Sequence, residues 1–142
     1  MIKKKYFLQI IPYFLFIFFL QTISLVASKF SLASINDQFI FGLVLNNVIS
    51  IIISILFIVF LIFLAVLYRK LNSIWFILIV SASVSNIADR VIYGGVIDYF
   101  NFMKFFVFNL SDVIIISGIS IMVIELIKEQ KDCHLNIPKK EA

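Results

Sequence analysis

At 142 residues the chain has room for about one domain, yet 63% of it is hydrophobic, only 14% is charged, and phenylalanine alone occurs 17 times. Soluble domains hold roughly 45–50% apolar and about 25% charged residues, and a chain this short buries only about two-thirds of its surface, so an ordinary soluble enzyme is excluded, as is a disordered chain. The net charge of +4 would point to nucleic acid in a polar protein; in this composition it reads as membrane topology.

Three stretches free of charged residues, and a fourth broken only by Asp112, mark four spans in chain order: 6–28, 43–68, 71–88 and 105–124. A helix rising 1.5 Å per residue needs about 20 apolar residues to cross a hydrocarbon core of about 30 Å. Open strands are excluded there because lipid cannot satisfy their backbone groups. The fold class is therefore an all-α membrane protein: a four-transmembrane-helix bundle with small extracytoplasmic loops, leaving room for a short sheet after the first helix. The whole chain, 1–142, reads as a single integral membrane domain. Lys3, Lys4 and Lys5 precede the first span as they would a signal peptide, but its apolar run exceeds the roughly 7–15 residues of a signal core, so it reads as a retained helix.

The basic residues orient the bundle. With both termini on one side, that side holds nine of the twelve Lys and Arg, including Arg69 and Lys70 between the second and third spans. The positive-inside rule makes it the cytoplasmic side, with residues 128–142 as a polar, mobile tail. The outer side keeps Lys29, Arg90 and Lys104 among four acids. It also carries the two longer connections, 29–42 and 89–104, where function tends to reside. Cys133 and His134, the single cysteine and histidine, lie in the tail. Their lone occurrence excludes an internal disulfide and any site needing two imidazoles.

Charge close to or inside a span is costly and usually functional. Asp112 has apolar residues on both flanks, and Asn109 lies three positions earlier, hence on the same helical face, the two forming a polar stripe near the outer end of the fourth helix. Asn86, Asp89 and Arg90 share a face at i, i+3 and i+4, and Asp98 follows the turn-like Gly94-Gly95 pair. These groups either cap helix ends at the membrane boundary or form a site. Two carboxyls in a low-dielectric pocket cannot both ionise cheaply, so a pair holds one shared proton. Such a pair suits peptide hydrolysis: the ionised acid takes a proton from water while the protonated one polarises the scissile carbonyl. That chemistry requires no metal, covalent nucleophile or cofactor.

Several blocks together resemble the bacterial lipoprotein signal peptidases (prolipoprotein signal peptidase, signal peptidase II). They are Asn86-Ile87-Ala88-Asp89-Arg90, Val96-Ile97-Asp98-Tyr99, Phe108-Asn109-Leu110-Ser111-Asp112, the first-helix Lys29, and Asn36 with Phe41. The resemblance implies an inner-membrane aspartyl endopeptidase that cleaves the signal peptide of diacylglyceryl-modified prolipoproteins before the modified cysteine. Asp98 and Asp112 would be the catalytic dyad. Asn86, Asp89, Arg90 and Asn109 would position dyad and substrate, and Lys29 and Asn36 would line the outer part of the site. The expected partners are a lipidated prolipoprotein and membrane lipid, not nucleic acid, and the protein is expected to be a monomer. The chain departs from the pattern at Leu25, where the family carries an acid, in the Ser81–Ser85 run, and after Asn36. A non-catalytic relative that binds lipidated signal peptides, and a small transporter subunit using Asp112 as an ion site, are the alternatives.

Overall fold

The computed structural model describes residues 2–30, 32–36, 46–71, 73–102 and 106–135. In chain order these form helix α1 (Ile2–Lys29), strand β1 (Ser34–Asn36), helices α2 (Asn47–Leu67) and α3 (Ile74–Tyr93), strands β2 (Val96–Asp98), β3 (Phe100–Phe102) and β4 (Phe106–Phe108), and helix α4 (Leu110–Leu135). Each helix contains a segment long and apolar enough to cross a membrane: Ile11–Lys29, Asn47–Leu67, Ile74–Tyr93 and Leu110–Glu129. The four-helix architecture holds, and a strand does follow the first helix. The expected start of the second span at Leu43, the departure after Asn36, Phe41 and the end of the tail lie outside the described residues.

Three boundaries differ from the sequence expectation, each for a local reason. α3 runs past the charge-free stretch that ends at Ala88 to Tyr93, through Asp89 and Arg90, whose helical spacing from Asn86 already placed them on it and whose side chains are both buried. It ends at Gly94, whose φ of +79° is a left-handed conformation natural to glycine. α4 begins at Leu110, not Phe105; the Phe-rich run before it pairs as strand β4 instead. At its other end α4 continues to Leu135, so the helix takes the first part of the segment read as a tail. The Glu, Gln and Lys residues there are good helix formers.

α3 is the central element and packs against α1, α2 and α4. Its buried Ser81, Ala82, Ser83 and Ser85 keep its flanks narrow, so neighbouring backbones approach closely, as small residues allow between membrane helices. α4 answers with Gly118, where an added Cβ would lie 2.5 Å from Ile79 Cγ1. One half of the bundle is closed by Leu61 and Ala65 of α2, Phe76 and Ile79 of α3, and Met122 of α4. Large side chains such as Phe14, Phe18, Leu56 and Phe63 point outward, as expected where lipid rather than water is the solvent.

The two ends of the bundle are chemically distinct. At one end the turn between α2 and α3 carries Lys70, which pairs with Glu129 and, at 3.9 Å, with Glu125 on α4. Tyr13 of α1 donates to the Leu71 carbonyl at 3.4 Å. The first half of α1 and the second half of α4 therefore flank this turn. At the other end lie the strands. β1 and β2 pair antiparallel, with Ser34 opposite Asp98, Ile35 opposite Ile97 and Asn36 opposite Val96. β3 and β4 form a second antiparallel pair, Phe100 opposite Phe108. β1 can reach β2 because residue 95 is glycine: a Cβ there would sit 2.7 Å from the Asn36 carbonyl oxygen.

Candidate active site

Asp98 ends β2 and is 3% exposed. The strand carries it against the helices, and both of its oxygens are engaged. Asn36 of β1, its diagonal neighbour across the antiparallel pair, donates from Nδ2 to Oδ2 at 2.7 Å. Asn109 donates from Nδ2 to Oδ1 at 3.0 Å.

Asp112 sits in the first turn of α4 and is held by the start of that helix. Asn109 immediately precedes α4. Its Oδ1 accepts the Asp112 backbone N–H at 3.0 Å, while its own backbone N–H donates to Asp112 Oδ2 at 3.2 Å. This reciprocal pair is a capping box, in which each side chain satisfies a backbone donor that the helix leaves open. Asn109 is thus a cap rather than a member of a helical stripe. The carboxylate also lies where the helix dipole favours negative charge.

Asn86 of α3 closes the circuit. Its Nδ2 donates to Asp112 Oδ1 at 2.9 Å, and its Oδ1 accepts from Asn109 Nδ2 at 3.2 Å. Asn109 therefore spends one end on the cap and the other on Asp98 and Asn86. The result is one connected chain of hydrogen bonds running Asn36, Asp98, Asn109, Asn86, Asp112. Each carboxylate oxygen in it receives a donor, which is what makes burial of two acids tolerable.

Asp89 and Arg90 follow Asn86 on α3 and adjoin this chain. Asp89 is 1% exposed; it accepts from Gln21 Nε2 at 2.9 Å and from the Ile97 backbone N–H at 3.3 Å. Arg90 is buried and its charge acts on Asp98, while Asn47 Nδ2 donates to its carbonyl at 2.9 Å. Tyr99, next after Asp98, places its hydroxyl at the start of α4 and accepts the Leu110 N–H at 3.1 Å.

Electrostatics follow from this geometry. Burial pushes the Asp98 carboxyl from its ordinary 3.8 up to about 6, and the charge of Asp112 adds to the rise; the Asn36 and Asn109 hydrogen bonds and the Arg90 guanidinium pull the other way. Burial raises the Tyr99 phenol, helped by the three acids, against the Leu110 N–H. A buried acid with a pKa near 6 facing a second acid is poised to hold a proton where ordinary aspartates have lost theirs. Among the described residues no group of three or more His, Cys, Asp or Glu is placed to hold a metal ion.

Asn36, Asn86, Asp98, Asn109 and Asp112 thus come together, with Asp89 and Arg90 adjoining them. Lys29 does not join: it is exposed at the end of α1, and among the described residues no hydrogen bond ties it to the acids. Sequence reasoning passed over Gln21, Asn47 and Tyr99. Gln21 carried only a weak signal, an amide in a mostly apolar span that also holds Gln9, Thr22 and Ser24. Tyr99 had none, since its role depends on how the strand meets α4.

A helical membrane bundle with two linked acids at one end is the class that this fold and site define. The profile of the peptidase family described as Signal peptidase (SPase) II matches residues 3–128. The chain belongs to that family. A lipoprotein signal peptidase of Campylobacter jejuni subsp. doylei is 46% identical over 66 residues, covering 44% of this chain and 42% of the relative. The lipoprotein signal peptidase of Helicobacter acinonychis is 40% identical over 58 residues, 39% of this chain and 37% of the relative. The chain thus matches less than half the length of these curated relatives. Its fold is that of a solved bacterial membrane enzyme, with a TM-score of 0.69, 17% identity and 94% of each chain covered.

Proposed function

We propose that the protein is an aspartyl endopeptidase of the bacterial inner membrane that removes signal peptides from diacylglyceryl-modified prolipoproteins, cutting before the lipid-modified cysteine. The observation that carries this reading is the hydrogen-bond chain from Asp98 through Asn109 and Asn86 to Asp112. Membership of the signal peptidase II family supports the substrate class.

Asp98 and Asp112 form the catalytic dyad and share one proton. A water between them gives a proton to the ionised carboxylate as it attacks the scissile carbonyl, whose oxygen accepts a hydrogen bond from the protonated acid. The resulting diol collapses when the leaving amine is protonated. Asn86 and Asn109 keep the two carboxyls in register before substrate arrives, so little reorganisation remains for the reaction itself. Asn36, Asp89 and Arg90 position the dyad, and Lys29 stands at the outer rim.

Both termini and the Arg69-Lys70 turn lie in the cytoplasm, and the dyad lies near the outer membrane face. The signal peptide comes in sideways between helices while its acyl chains remain in lipid. The protein works as a monomer of one integral membrane domain.

The test is cleavage of a diacylglyceryl-prolipoprotein by the purified protein reconstituted in lipid. Parent protein should release the signal peptide at the modified cysteine, and Asp98→Asn and Asp112→Asn should each insert normally and release none. Full cleavage by either variant overturns the dyad. Binding without cleavage by the parent favours a non-catalytic relative that holds lipidated signal peptides.

A further inference from the structure

Gln21 lies on α1, remote in sequence from every acid of the site, yet its Nε2 has three acceptors within reach: Asp89 Oδ1 at 2.9 Å, and the Ser85 carbonyl and Ser85 Oγ at 3.0 Å each. Asp89 in turn accepts the Ile97 backbone N–H with its other oxygen. Ile97 is buried, pairs with Ile35 of β1 and immediately precedes Asp98.

From this linkage we infer that Gln21 is a positioning residue for the dyad, acting through Asp89 on the seating of β2 and hence on the placement of Asp98. The inference rests on the aspartyl peptidase reading for its activity readout, but the linkage itself can be measured apart from activity.

The argument is one of satisfaction and reach. A carboxylate as buried as Asp89 is held in a single orientation only if both oxygens have donors. Gln21 supplies one and the strand supplies the other. With Gln21 present, Asp89 faces the strand with a fixed acceptor. Without it, Oδ1 is left unpaired and Asp89 must turn or take up a proton, and either change loosens its hold on Ile97. Asp98 then loses the backbone anchor beside it while keeping its side-chain partners Asn36 and Asn109. Such a fault degrades alignment more than substrate binding, so it falls on kcat rather than KM.

The variants are Gln21→Leu, which removes the donor at similar size, and Gln21→Glu, which donates only when protonated. In lipid nanodiscs, Gln21→Leu should lower kcat by about 10- to 100-fold with KM little changed. The activity of Gln21→Glu relative to the parent should rise as pH falls, because a protonated glutamate restores the donor. Hydrogen exchange by mass spectrometry should show faster exchange around Ile97 in Gln21→Leu, with α2 unchanged. Unaltered exchange around Ile97, or a Gln21→Glu to parent ratio that is flat with pH, overturns the inference. If the parent itself does not cleave, the peptidase reading fails and the exchange result alone decides the role of Gln21.

Discussion

Asn109 and Asp112 cap one another across the first turn of α4, each side chain taking the other's backbone N–H, and the same Asn109 amide reaches across to Asp98. One residue therefore does a folding task with its oxygen and a site task with its nitrogen. The two tasks are separable. Asn109→Ser keeps a good helix cap but cannot bridge to Asp98, whereas Asn109→Ala loses both functions. Thermal unfolding should rank Asn109→Ala below Asn109→Ser by about 1 kcal/mol, while both variants lose cleavage by about 100-fold or more. Equal activity of Asn109→Ser and parent would show that the bridge has no part in turnover.

The pH dependence of cleavage has a defined sign. In the proposed mechanism the dyad works while it holds one proton, so activity is expected to fall on the alkaline side as that proton leaves. Asp98, raised by burial to about 6, governs this limb. The Asn36 hydrogen bond favours the charged form of Asp98, so removing it lets the acid keep its proton to higher pH. In Asn36→Leu the alkaline limb of kcat/KM should move upward. A limb that stays in place or moves down separates Asn36 from the titration of Asp98.

Gly95 controls how closely β1 lies on β2. Alanine there would place Cβ 2.7 Å from the Asn36 carbonyl oxygen and 2.8 Å from Ile35 Cγ2. The first neighbour is backbone, so the strand itself must shift. Gly95→Ala should cost about 1–3 kcal/mol, read as a fall in the thermal midpoint, and should slow cleavage because Asn36 retreats from Asp98. Alanine at Gly94, with φ +79° but nothing within 4 Å of its Cβ, acts only through backbone strain and leaves the strand pairing in place.

Gly118 has the same relation to the helices that Gly95 has to the strands. A Cβ at Gly118 meets Ile79 Cγ1 at 2.5 Å, and Ile79 has no exposed surface into which to move. Gly118→Ala should destabilise the protein by about 1–3 kcal/mol. Ile79→Ala, harmful alone because it leaves a cavity, should be less harmful in the Gly118→Ala background. Strict additivity in this double-mutant cycle would mean that α3 and α4 do not meet through this pair.

The parts of the fold and site legible from sequence are those that lipid makes expensive. Acids and amides in an apolar chain stand out, so Asn86, Asp98, Asn109 and Asp112 could be picked one by one, and the spans followed from hydropathy. Asn36 and Lys29 were selected by resemblance alone, and only Asn36 meets an acid. The elements that pattern reading misplaced are apolar yet not helical. Phe106–Phe108 looks continuous with the fourth span because Phe suits a strand as readily as a membrane helix. The start of α4 was instead marked by a cap at Asn109. Gln21 escaped because its meaning lies in a partner 68 residues away, a relation that no local window contains.

The hydrogen-bonded chain at the strand end draws on β1, α3, β2 and the beginning of α4, with Gln21 of α1 bracing it. During synthesis Asn36, Asn86 and Asp98 are all present before Asp112 exists. Until α4 enters the membrane and closes on α3, the nascent chain holds only half of its acid pair. On the proposed dyad chemistry, activity follows from finishing the bundle, so a chain stalled part-way through insertion is expected to stay inert toward the membrane proteins around it.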